Sequence, residues 1–142
     1  MARWEMPVRS AEIGLEQVGG EAGIRRWVDR FYSRVPGDAV LAPLFPSDLT
    51  ESRDKQFAFF VEFFGGPALY SQRYGQAFLR YKHRKVGIGV PERDAWMNLM
   101  MDSLKPEVSD AAVVERVAQR LGAVADHMIN RHPDRHDAQF FN

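Results

Sequence analysis

The stretch Leu79–Trp96, LRYKHRKVGIGVPERDAW, decides how this chain is read. His83, one of only four histidines, lies in it among Arg80, Lys82, Arg84 and Lys85. Positive neighbours disfavour a protonated imidazole. A neutral imidazole is a metal ligand, and cations beside one suit a cofactor that carries its own negative charge. A histidine at a helix end also serves as a C-terminal cap, so both readings stand at this point.

The cationic cluster is informative because the rest of the chain does not repeat it. Among 142 residues, 19 Lys and Arg balance 19 Asp and Glu. A net-neutral chain gives no general electrostatic argument for nucleic acid or an anionic membrane. With 45% apolar and 27% charged residues it reads as a globular chain, long enough for one domain with a real core. Cysteine is absent, which excludes disulfides, iron–sulfur clusters and thiolate chemistry. The opening MARWEMPVRSAEIG lacks the apolar core of a signal peptide, and no apolar run reaches transmembrane length, so a cytoplasmic protein is expected.

Working outward from His83, every substantial pattern has helical period. In EAGIRRWVDRFYSRV, Ile24, Trp27, Val28, Phe31, Tyr32 and Val35 share a face, and Pro36–Gly37 end it. Residues Ile13 to Val18 give a shorter turn, stopped by Gly19 and Gly20. AVLAPLFPSD reads as a 3₁₀-rich connector because Pro43 and Pro46 forbid a long helix. A helix is expected from about Thr50, taken as its N-cap, to Phe64, with Gly65–Gly66–Pro67 as its stop. Next come a loop carrying Tyr70, a short helix ending near His83, and the loop RKVGIGV. Pro91 opens the helix that turns Trp96, Met97, Met100, Met101 and Leu104 inward. Ser109 and Asp110 open the last one, with Val114, Val117, Leu121, Val124 and Met128 as its buried stripe and His127 on its surface. The expected organisation is an N-terminal tail (1–11), an all-α domain (12–130) and a C-terminal tail (131–142).

Three polar side chains fall on faces otherwise made of hydrocarbon. Tyr32 follows Val28 by four residues, Gln56 shares a face with Phe59, Phe60 and Phe63, and Trp96 shares one with Met100 and Leu104. A buried hydroxyl, amide or indole N–H needs a partner or costs about 1–3 kcal/mol. Each could find a backbone carbonyl, or the three could converge on one small polar ligand in an apolar pocket.

For His83 as a ligand, a mononuclear zinc site would require three or four donors, and its neighbours supply none. A haem fills its own equatorial positions and requires only one protein histidine. Its propionates would account for the cations, and its width for the aromatic and methionine content. The tail segment HPDRH is not expected to hold a metal, since Pro133 breaks the spacing between His132 and His136.

From about Ile13 to Ile129 the chain resembles the group II (O-type) truncated haemoglobins. The resemblance is carried by an ordered set: VGGEAGIRRWVDRFYSRV, LAPLFPSDL, FFGGPALYSQRYG, LRYKH and ERDAWMNLMM, with thirteen residues from His83 to Trp96. It implies a two-over-two helical sandwich, a truncated globin fold around haem b (iron protoporphyrin IX), with His83 as the iron ligand. By the same resemblance Tyr32, Gln56 and Trp96 are distal hydrogen-bonding residues, and Ser52 is the distal gate. Phe45 is implied on the haem edge, Tyr70 and Arg80 near the propionates, and Ile88 and Met100 on the cofactor's apolar walls. Two places depart from the family pattern. Lys85 and Val86 stand where a proline and a phenylalanine commonly follow the histidine, and GQAFLR replaces a glycine–histidine–proline start.

Three functions follow from different classes. One is reversible binding of oxygen and other diatomic gases for transport or storage; another is catalysis at the haem, as a nitric oxide dioxygenase or peroxidase-like enzyme. The third is a haem-free helical interaction module. If three hydrogen bonds of about 1 kcal/mol each reach oxygen, its release slows by roughly 10²-fold. That favours a tight oxygen-binding haem protein. Turnover would require a separate reductase, and the chain is expected as a monomer or homodimer.

Overall fold

The computed structural model describes residues 13–131, so the expected tails lie outside the described residues except for Arg131. Six α-helices follow one another: α1 (Gly20–Arg34), α2 (Thr50–Phe63), α3 (Leu69–Tyr74), α4 (Leu79–Lys82), α5 (Val90–Leu104) and α6 (Ala111–Met128). Short 3₁₀ turns at Leu15–Val18, Val35–Gly37 and Ala42–Leu44 join the N-terminal half. No strand occurs among the described residues. None of their helices is long and apolar enough to cross a membrane.

Four long helices make the two-over-two sandwich, with α1 packed on α2 and α5, and α5 on α6. Trp27 is the centre of it. Its indole N–H donates to the Met100 carbonyl of α5 at 2.9 Å, and its ring stacks on Phe60 of α2 with centroids 4.5 Å apart. Phe31, Phe63, Phe64, Ile24, Leu104 and Leu121 complete a fully buried core around it. The turn before α1 can approach so closely because residue 23 is glycine: a Cβ there would lie 2.8 Å from the Val18 carbonyl oxygen.

Two local details differ from the sequence reading. Thr50 is the first helical residue rather than the cap; Leu49 precedes it, and the Asp48 carboxylate accepts the Thr50 N–H at 3.0 Å. Tyr70 is on a helix, not a loop. The helix, α3, spans only six residues, too few for a visible period, and the Glu62 carboxylate accepts the Ser71 N–H in its first turn at 2.8 Å.

Beyond α5, Glu107 fastens the sandwich. Its carboxylate accepts from Arg26 (3.0 Å) and Arg30 (2.8 Å) of α1, while Arg30 also donates to the Ser103 carbonyl. Burial raises the Glu107 pKa, but the two guanidinium hydrogen bonds outweigh it and hold the carboxyl below its ordinary range. A depressed carboxyl stabilises the fold fully above its unfolded pKa and loses that contribution as pH falls through the folded value. We expect Glu107→Gln to lower stability at pH 7 by about 1–2 kcal/mol. It should also flatten the loss of stability below about pH 4.5; urea denaturation at a series of pH values measures both.

Candidate functional site

A cavity of about 350 Å³ opens between the two helical layers. Phe59 and Phe60 wall it from α2, Leu121, Val124 and Ala125 from α6, and Ile88 from the loop before α5. Leu121 and Val124 belong to the stripe expected as core; that stripe fills the core at Val117 and faces open space one turn later.

His83 lines this cavity just past the end of α4. Its Nδ1 is 2.8 Å from the Leu79 carbonyl oxygen. A carbonyl only accepts, so Nδ1 carries the hydrogen, and in the neutral ring Nε2 keeps its lone pair. Burial pushes the His83 pKa below its ordinary value, and the charges of Lys55 and Lys82 push the same way. The cap and ligand readings therefore do not compete: one ring nitrogen caps α4 and leaves the other free to ligate.

Tyr32, Gln56 and Trp96 line the same cavity from α1, α2 and α5. Phe31 links the rings of Tyr32 and Trp96, edge-on to Tyr32 (4.9 Å) and to Trp96 (6.2 Å). Burial drives the Tyr32 phenol pKa well up, with a small opposing effect of Arg53, so the hydroxyl stays a donor at ordinary pH. Phe45 meets Tyr32 edge-on at 5.7 Å, and Ser52, Leu44 and Pro46 also line the cavity.

Arg80 and Met100 are not among the lining residues. Arg80 is exposed on α4, whereas Lys82 does line the cavity, since residues two apart on a helix point in different directions. Met100 is fully buried one turn beyond Trp96, with its carbonyl engaged by Trp27. Tyr70 and Ile88 do line it. Sequence reasoning missed Lys55, Lys82 and Val86 as lining residues, and Glu62 as a support. Lys82 Nζ donates to the Tyr70 hydroxyl (3.0 Å) and the Gln76 carbonyl (2.9 Å), holding α3 against α4. The available signal for Glu62 was a carboxylate set inside the run FFVEFF.

The described residues from Leu15 onward coincide with the match to a family model described as bacterial-like globin, which covers residues 15–130. The group 2 truncated haemoglobin YjbI of Bacillus subtilis is 38% identical over 112 residues, 79% of this chain and 85% of that one. The chain belongs to the truncated haemoglobins, group II. In three dimensions it is similar to the group II truncated haemoglobin of Bacillus anthracis, with a TM-score of 0.80 and 34% identity over 89% of this chain and 98% of that one. It is similar also to a truncated oxygen-avid haemoglobin of Bacillus subtilis, with a TM-score of 0.74 and 38% identity over 78% of this chain and 94% of that one.

Membership in this globin family implies a haem cofactor, and the donor set fits one. The cavity offers one neutral imidazole, apolar walls, and the cations Lys55, Lys82 and Arg93 at its lining. Among the described residues, no group of three His, Cys, Asp or Glu could hold a bare metal ion. A flat dianionic macrocycle that supplies its own equatorial nitrogens matches that arrangement. His132 and His136 lie outside the described residues.

The support for Tyr70 can be tested alone. Glu62→Ala leaves the Ser71 N–H and hydroxyl without their charged acceptor at a part-buried place. We expect a loss of about 1–3 kcal/mol in stability. Chemical denaturation measures this loss, and a changed near-ultraviolet circular dichroism of the tyrosines should accompany it.

Proposed function

We propose that this globin holds haem b through His83, and holds oxygen, carbon monoxide or nitric oxide against Tyr32, Gln56 and Trp96. One observation carries the reading. Three polar side chains from three helices line one apolar cavity, and among the described residues no hydrogen bond to the fold occupies the Tyr32 hydroxyl, the Gln56 amide or the Trp96 N–H. Haem would supply an iron that His83 would hold and that would take up the diatomic gas. The chain's part is to orient the gas, donate hydrogen bonds to it and exclude water from it. Hydrogen bonds in such a dry setting are stronger than in water.

The Tyr32 hydroxyl and the Trp96 N–H are the donors, and Gln56 can donate through its amide nitrogen. Two or three bonds of about 1 kcal/mol each slow gas release by roughly 10²-fold. That is the behaviour of a site that retains oxygen or uses it in place rather than delivering it. The likeness to a haemoglobin described as oxygen-avid supports the same reading. Use in place would make the protein an oxygen- or nitric-oxide-consuming haem enzyme, served by a separate reductase.

At the polar edge, Lys82 and Lys55 are proposed as the propionate partners, with Tyr70 beside them. Arg80, exposed on α4, contributes from farther out. Lys82→Ala should therefore speed haem transfer to a scavenger apoprotein several-fold, and Arg80→Ala less. The reverse order would return the propionate role to Arg80.

The main test is spectroscopic and kinetic. The purified protein should show a Soret band that shifts on reduction and with carbon monoxide, and His83→Ala should lose haem or its normal ferrous spectrum. Tyr32→Phe and Trp96→Phe should each raise the oxygen dissociation rate several-fold to about tenfold. The double variant should depart from the product of the two, as members of one network do. Rates within twofold of wild type for both single variants would make plain reversible carriage the better reading.

A further inference from the structure

We propose that Asn130, two residues beyond the end of α6, is the positioning residue for His83. The proposal rests on the reading of His83 as the haem ligand.

The proximal segment has little of its own to hold it. Its helix, α4, is one turn of four residues, too short to persist by itself. It is entered through Phe78, the one non-glycine residue with positive φ (39°) among the described residues, a left-handed conformation that costs about 1–2 kcal/mol. After His83 the chain runs through a loop with glycines at 87 and 89.

Asn130 meets that loop at several points. Its Oδ1 accepts the Ile88 N–H at 2.8 Å, and its Nδ2 donates to the Val86 carbonyl at 2.8 Å and more weakly to the His83 carbonyl at 3.4 Å. Its own backbone N–H donates to the Ile88 carbonyl at 2.8 Å, where the Arg131 N–H also donates at 3.0 Å. Ile88 therefore has both backbone groups bonded to one residue 42 positions away. The Arg131 side chain lies directly over Gly87, where any Cβ would collide with its guanidinium.

Only a side-chain amide serves this pattern. Aspartate could accept from Ile88 but would set a carboxylate against two carbonyl oxygens. A leucine of similar shape could do neither. Carbonyls held at 83 and 86 fix the segment at the histidine and just after it, while the Nδ1 bond to Leu79 fixes the ring's tilt. Asn130 thus acts on haem through His83, as an outer partner that orients a ligand.

The test uses the haem-loaded full chain. Asn130→Asp and Asn130→Ala should release haem to a scavenger apoprotein roughly five- to tenfold faster than wild type. Their ferrous forms should show a shifted or broadened iron–histidine stretching band in resonance Raman. Glu107→Gln is the comparator: it loosens α1 from α5 and should lower the melting temperature while leaving that band in place. Asn130→Asp with haem loss within twofold of wild type and an unchanged band would overturn the proposal. So would a lowered melting temperature with an unchanged band, the pattern of a purely structural residue. A wild-type band that survives in His83→Ala would overturn the ligand reading, and this proposal with it. Amide exchange in wild type needs no variant: the Ile88 and Arg131 amides should exchange slowly and together with α6. Fast exchange at both would overturn the clasp.

Discussion

The hydrogen bond from the Trp27 indole to the Met100 carbonyl, with the ring stacked on Phe60, ties three helices at one point. Everything distal in the cavity is measured from there. Gln56 lies four residues before Phe60 on α2, and Trp96 four before Met100 on α5, so each stands one turn from the tie on the same helical stripe. Tyr32 lies five residues beyond Trp27 on α1 and reaches the same space. Three polar groups far apart in sequence thus line one cavity because one indole fixes where their helices cross. A Trp27 N–H left without Met100 would be a buried, unpaired donor, which is why the crossing holds tightly.

The two halves of the cavity are held by different forces. On the distal side, aromatic rings packed between long helices set the geometry, and such packing gives side chains a single arrangement. On the proximal side there is a one-turn helix and a loop, fixed by hydrogen bonds from outside: Lys82 to Tyr70 and Gln76, Asn130 to Val86 and Ile88. Charge is divided in the same way. Between Glu62 and Glu92 the chain has five Lys and Arg and no Asp or Glu, a net +5; the remaining 14 basic and 19 acidic residues give −5. The positive segment is the one that carries His83; burial first, and then the charges of its Lys82 and of Lys55 on α2, keep the imidazole neutral.

The sequence disclosed most of what long helices produce. Periodicity and the stops at Gly19–Gly20, Pro36–Gly37 and Gly65–Gly66–Pro67 bound α1 and α2 closely, and Asp110 caps α6 through the Ala112 N–H. What it hid is short or distant. α3 has fewer than two turns, and its support, Glu62, comes from the preceding helix. Arg80 and Lys82 are equally basic, and only the phase of a single turn distinguishes them. Met100 and Trp96 share a stripe, and the sequence has no signal for where core ends and cavity begins. Asn130 reads as the last residue before a tail, because nothing local links it to Ile88.

The departures near His83 gain a physical meaning from this contrast. A proline and a phenylalanine after the histidine would stiffen and anchor the loop from within, by a fixed φ and a buried ring. Here Lys85 is exposed and Val86 only partly buried, so the loop carries little anchoring of its own. Its backbone groups are met instead by Asn130 and Arg131, just past α6. The Asn130 side-chain bonds are part-buried and close on the buried Ile88. In this globin the histidine side is therefore held by a few hydrogen bonds that cross the fold, and the Tyr32–Gln56–Trp96 side by packing between long helices.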